Sequence, residues 1–308
     1  ASFLAAGTAY ANHGLPMIPF YIFYSMFGFQ RVGDMIWACG DVMCKGFLLG
    51  GTSGRTTLNG EGVQHQDGHS HLIASTIPNM KSYDPAFAFE IVLIVIDGIR
   101  RMYAEQEDVF YYLTVTNQNY PMPAMPEGVE EGVLAGMYCF DREQGAMVNL
   151  FGSGAIMSEV RTARELLKEQ GIASNLWSVT SYNELMREGL AAEREQLLSA
   201  GATERRSLVE SLLMDEEGVF VAASDYMKAL PLSISRWVPG PYIVLGTDGF
   251  GLSEDRHVLR EYFEVSAEWV AYAALSGLTQ CNMLRADVAQ AFARRHHLDM
   301  TKADPFLG

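Results

Sequence analysis

Six glycines and three histidines fall within Gly50–His71, GGTSGRTTLNGEGVQHQDGHSH. The stretch is nearly free of large apolar side chains. A loop of roughly twenty residues with no structure of its own is uncommon in a compact domain and is usually functional. His65, His69 and His71 stand at i, i+4 and i+6, with Asp67 between them. Imidazole changes charge near physiological pH, so a histidine in such a loop suits proton transfer or donation to a developing oxyanion. Two rival readings stay open, ordinary loop hydrogen bonds and a shared metal ion. The metal reading is the weakest. Gly62 and Gly68 flank the cluster and disfavour the helix that would align i with i+4, and no H-E-x-x-H occurs.

Just upstream, Pro19–Phe29 carries Phe20, Tyr21, Phe23, Tyr24, Phe27 and Phe29. An aromatic wall followed by a Gly/His loop suits a site that holds a flat heterocycle and handles protons beside it. For any single ring, burial in the core is the ordinary expectation. Tyr24 and Phe27 are favoured for ligand contact because they fall at the end of a presumed strand, and ligands in parallel α/β sheets bind at the carboxyl ends of strands.

Other chemistries fail on spacing. Gly50–Thr56 resembles a phosphate loop but lacks its lysine, and no G-x-G-x-x-G follows a strand. Gly249-Phe250-Gly251 lies in a strand-to-helix turn, where glycine serves backbone geometry. No G-x-S-x-G occurs, and Gly152-Ser153-Gly154 lacks the spacing of a nucleophile elbow.

The elements that must position these residues alternate in type. Met17–Ser25 is apolar without alternation and predicts a buried strand. Asp34–Cys44 predicts a helix and Gly46–Gly50 a short strand feeding the loop. Ile77–Met80 predicts an extended piece. Asp84-Pro85 has the form of a helix start, with the helix running to about Tyr103, and Val109–Thr116 predicts a strand. Asn117–Gly132 holds three prolines and reads as a linker. Beyond it, strands are expected at Met147–Phe151, Asn175–Thr180, Val219–Ala223 and Tyr242–Gly246. Helices are expected at Ser158–Gln170, with Ser158 as N-cap, and around Tyr182–Leu198, Asp225–Trp237, His257–Phe263, Glu268–Leu278 and Ala286–His296. The fold class is therefore α/β, with two domains of mostly parallel sheets flanked by helices, at residues 1–125 and 126–308.

A length of 308 residues accommodates two cores, and the 49% apolar and 19% charged fractions are those of an ordinary globular protein. The net charge of −15 argues against nucleic acid and against anionic membranes as partners. No apolar run approaches a membrane span. The four cysteines form no C-x-x-C pair, a usage that fits a reducing, cytoplasmic setting. The opening Ala1–Gly7 reads as the middle of a helix, as in a piece cut from a longer chain.

Taken together, Ile18–Arg31, Gly50–His71, Thr76–Glu90, Tyr120–Gly132, Trp177–Leu185 and Leu245–Gly251 resemble the homodimeric, bacterial-type pyruvate dehydrogenase E1 family of thiamin-diphosphate enzymes. The resemblance spans nearly the whole chain and follows the family's order. It implies the transketolase-like architecture without its N-terminal, diphosphate-binding domain: a pyrimidine-binding domain truncated at its start, and a C-terminal domain. Thiamin diphosphate is the implied cofactor, with the Mg²⁺ ligands outside this chain. Pyruvate, the lipoyl domain of the dihydrolipoyl acetyltransferase (E2), and a homodimer partner or the missing domain are the implied partners. The resemblance also implies that Phe27 packs on the pyrimidine, that Tyr24 lies on the substrate side of the thiazolium, and that His65 is catalytic through a hydrogen bond to the substrate-derived group. The family's pyrimidine-activating glutamate has no counterpart here, since no acidic residue precedes Asp34. Leu252 replaces the basic residue usual after GFG, which puts a polar role for that turn in doubt.

Overall fold

The computed structural model describes every residue except Thr203, Leu307 and Gly308. Two sheets carry the architecture. The first has the order β1-β2-β4-β3, from β1 Phe20–Tyr24, β2 Phe47–Gly51, β3 Met80–Tyr83 and β4 Phe110–Thr114, all parallel. The second has the order β5-β7-β6-β8-β9, from β5 Met137–Asp141, β6 Val148–Gly152, β7 Ser174–Val179, β8 Val219–Ala223 and β9 Tyr242–Leu245. Here β5 alone is antiparallel. Helices cover both faces of the second sheet, and separate apolar cores form on its two sides. The first sheet has its own core, which includes Phe47, Phe110 and Tyr112.

The strand register explains where a site can form. Tyr24 pairs with Gly51 and Gly50 with Thr114, so the carboxyl ends of β1, β2 and β4 lie side by side. The long loop leaves from the middle of that edge and returns in the short helix Ser70–Ala74.

Several boundaries differ from expectation for physical reasons. β1 is an edge strand, not a buried one, and Ile22 and Tyr24 are 68% and 47% exposed. Only part of its apolar run is covered, with Phe20 stacked on Phe47 and Phe23 on Tyr112. The next helix begins at Ser25, not Asp34, and bends at Val32, where the backbone leaves helical geometry. Phe27 therefore sits in the first helical turn and not on the strand. Gly28 permits that join, since a Cβ there would collide with the Phe23 ring. Ile77–Met80 is a turn: Met80 donates to the Ile77 carbonyl at 3.2 Å, and the strand starts only at Met80.

The helix expected from Asp84 starts instead at Ala88, because Asp84 is drawn into contacts with the second half. Its N–H donates to the Thr180 carbonyl at 2.8 Å and its carbonyl accepts from Gly154 at 3.0 Å. Glu90 supplies the missing cap, accepting from the Ala86 and Phe87 amides at 2.6 and 3.0 Å. Ser158 is not an N-cap. The helix runs Met157–Glu169 after a 3₁₀ turn, and the Ser158 hydroxyl donates back to the Ala155 carbonyl at 2.7 Å. Asp225–Trp237 yields only the short helix Ala229–Leu232 and a 3₁₀ turn at Ser235–Trp237. The short helices Glu130–Ala135 and Leu208–Leu213, and the edge strand β5, carry too little periodicity to be read from sequence.

Candidate active site

Tyr24 closes β1 in extended geometry, and the helix turn that follows swings Phe27 over the same end of the sheet. The His65 ring enters from the long loop and completes a cluster. Its centroid lies 4.8 Å from Phe27 and 5.2 Å from Tyr24, both edge-on, and the two aromatic rings are 6.0 Å apart. The Arg31 guanidinium covers the Phe27 ring at 4.2 Å. Tyr24 is exposed, whereas Phe27 and His65 are half-buried, so the cluster forms an open surface and not a closed pocket. The Nδ1 atom of His65 is buried without a hydrogen bond, and the Glu61 carboxylate stands 3.5 Å away, at ion-pair range. Such an arrangement offers flat apolar faces with one imidazole beside them. It suits holding a heterocycle and delivering a proton at its edge.

The three loop histidines part company. His69 is half-buried, and its Nε2 accepts from the Gln30 side-chain amide at 2.8 Å. His71 is buried, with Nε2 2.9 Å from the Thr114 hydroxyl. Burial pushes its pKa down to about 4, a shift only partly opposed by Asp67. Asp67 accepts from the His69 and Ser70 amides at 3.0 and 2.9 Å and so caps the short helix. Among the described residues no group of three or more His, Cys, Asp or Glu side chains is placed to hold one metal ion.

Behind the rings lies a buried polar seam that sequence reasoning missed. Asp225, from the turn after β8, accepts from the Thr56 amide and hydroxyl at 2.8 and 2.7 Å and from the same two groups of Thr57. Arg55 donates to the Thr247 carbonyl at 2.8 Å and to that of Gly249. Asp84 accepts from Thr114 at 2.7 Å, and burial pushes its pKa up to about 7, with hydrogen bonds from Thr114 and Ser153 holding the rise down. Nothing in their spacing marks these residues, because their partners lie up to 194 positions away.

Residues 1–123 match the family model of the pyruvate dehydrogenase E1 component middle domain, and residues 136–266 match the transketolase-like C-terminal domain. The E1 component of Pseudomonas aeruginosa is 51% identical over 310 residues, covering 99% of this chain and 35% of the relative. That of Escherichia coli K12 is 50% identical over 311 residues, with 99% and 35% covered. The chain belongs to the pyruvate dehydrogenase E1 family. It spans about a third of the length of the curated relatives it matches.

Solved structures give the same fold at low identity. Transketolase from Campylobacter jejuni superposes with a TM-score of 0.65 at 19% identity, covering 89% of this chain and 38% of that one. A structure described as a split gene transketolase, inactive beta4 tetramer, has a TM-score of 0.63 at 18% identity, covering 91% and 82%. Within this E1-family fold the turn Leu245–Gly251 has a structural role. Arg55 binds its carbonyls, and the Leu252 backbone, not its side chain, makes the polar contacts.

Proposed function

We propose that this chain supplies the pyrimidine-binding domain, residues 1–125, and the C-terminal domain, residues 126–308, of a thiamin-diphosphate-dependent pyruvate dehydrogenase E1. The whole enzyme would decarboxylate pyruvate and pass the acetyl group to a lipoyl disulfide on its E2 partner, reducing that disulfide. The observation that carries the reading is the convergence of Tyr24, Phe27 and His65 at the carboxyl edge of the first sheet.

The residues present fit the cofactor. An open aromatic corner accepts a flat ring, and the half-buried His65 imidazole stands edge-on to both rings of that corner. Thiamin diphosphate, when bound, supplies the carbanion and accepts the electrons released with CO₂. Phe27 packs on the pyrimidine and excludes water there. Tyr24 directs its hydroxyl to the substrate side, and His65 donates a hydrogen bond to the substrate-derived oxygen. We assign the Mg²⁺ ligands and the diphosphate site to polypeptide outside these residues. The exposed β1 edge would be covered by that domain or by a second subunit. The four free thiols support a cytoplasmic setting. No described helix is long and apolar enough to cross a membrane.

A second reading draws on the split-gene transketolase chain, described as an inactive tetramer, which this chain covers to 82%. By itself the 308-residue chain would assemble without activity. A chimera decides the matter, with this chain replacing the matching third of the Pseudomonas aeruginosa E1 component. We expect it to decarboxylate pyruvate and acetylate a lipoyl domain, while the chain alone does neither. A folded, cofactor-binding chimera that uses only sugar phosphates would replace this reading with a transketolase-like one.

A further inference from the structure

Gln66, the residue after His65, is 1% exposed and fully engaged. Its Nε2 donates to the Leu58 carbonyl at 2.8 Å and to the Leu252 carbonyl at 2.9 Å, and its Oε1 accepts from the Leu252 amide at 2.8 Å. The side-chain amide thus pairs with both backbone groups of Leu252, as a neighbouring strand would. The surrounding contacts run the same way. The Gly60 amide donates to the Glu254 carbonyl at 3.0 Å, and Gly62 packs against the Ser253 side chain. Gly251 lies directly against Gln66, and a Cβ there would come within 2.8 Å of the Gln66 Cβ. Among the described residues no hydrogen bond joins 60–66 to the first sheet or to its helices. Toward that side, His65 makes only ring contacts, with Tyr24 and Phe27.

We propose that Gln66 is a positioning residue: by fastening the loop to residues 251–254, it holds the His65 ring against Tyr24 and Phe27. The C-terminal half thereby sets the geometry of a site built on the N-terminal half. The kinetic part of this inference rests on the catalytic reading of His65 given above; the anchoring part does not. Displacing a catalytic group by about 1 Å costs up to roughly a hundredfold in rate, so a loosened loop should be costly even with every ring intact.

Two variants test it. Gln66→Met keeps length and volume but removes the amide. Gly251→Ala pushes Gln66 aside from the other half and leaves the loop sequence untouched, which covers the case in which Gln66→Met fails to fold. In the 308-residue chain, hydrogen exchange at Gly60–Gln66 should accelerate about tenfold or more in either variant, while the amides of β4 keep their wild-type rates. In the chimera at saturating cofactor, each variant should lower kcat about tenfold or more and leave cofactor Kd within about twofold. In a His65→Ala background, Gln66→Met should cost nothing further, because a residue acting through His65 has nothing left to position. Unchanged exchange would overturn the anchor. Losses that multiply in the double variant would overturn its action through His65. A His65→Ala chimera with wild-type kcat would remove the catalytic reading instead, with exchange still judging the anchor.

Discussion

The ring cluster and the seam behind it use similar residue types in opposite ways. At the cluster, His65 is half-buried, its Nδ1 lies 3.5 Å from the Glu61 carboxylate, and Tyr24 beside it is exposed. At the seam, His71 is packed between Tyr112 and Tyr226 and bonded to Thr114, and Asp225 accepts four hydrogen bonds. Five residues separate these two histidines of one loop, yet one stands at an open edge and the other is enclosed. The difference lies in enclosure: the cluster stands at an open edge of the sheet, whereas the seam is buried and bonded between the two halves. Glu90 makes the same point, since its carboxylate takes two backbone amides and the hydroxyls of Tyr138 and Ser178, and it joins the halves without facing any cleft.

This contrast is broken most forcefully at Asp225. Asp225→Ala strands four buried donors of Thr56 and Thr57 and should cost about 3–5 kcal/mol, on the scale of removing one partner from a buried charged network. Urea unfolding of the 308-residue chain reads it, and a loss under about 1 kcal/mol would show that the seam is not what joins the halves.

The next effect is in pH. His71 falls from 6.5 to about 4 on folding, so between these values the unfolded chain binds a proton that the folded chain refuses, and this group adds stability as pH rises. Asp84 rises from 3.8 to about 7, so the folded chain holds the proton, and this group removes stability as pH rises through that window. Each is worth about 3–4 kcal/mol and the two oppose each other. Relative to wild type, His71→Gln should lose stability from about pH 4 to 6.5, and Asp84→Asn should gain it from about pH 4 to 7. Urea midpoints across that range check both signs, and parallel curves for the two variants would contradict the assignment.

Smaller effects belong to the rings, measured in the chimera. Phe27→Ala should raise the apparent thiamin diphosphate Kd roughly tenfold to a hundredfold, from a stacking loss of about 1–3 kcal/mol. Tyr24→Phe keeps the ring and removes one hydroxyl, so it should lower kcat by about 1 kcal/mol and spare Kd. If both variants merely melt earlier while the folded fraction keeps normal Kd and kcat, the rings are ordinary packing and the contrast with the seam disappears.

The alternation of elements was legible because buried strands and amphipathic helices write their periods locally: the bounds of Tyr182–Leu198 and Val219–Ala223 agree with the residue pattern. The loop and its aromatic neighbour were legible by composition, and Tyr24, Phe27 and His65 do meet. Sequence could not tell the three histidines apart, since burial and partners decide their states and those partners come from distant strands. Nor could it show that β1 is an edge, because an apolar run looks the same whether its cover lies within the chain or beyond it. Gln66, Arg55, Asp84 and Asp225 carry no local signal at all. The Asp84–Thr114 bond, 30 positions apart, needs β3 to pair with β4, and the Arg55, Gln66 and Asp225 bonds, 169 to 194 positions apart, need one sheet's loop packed onto the other sheet's turns.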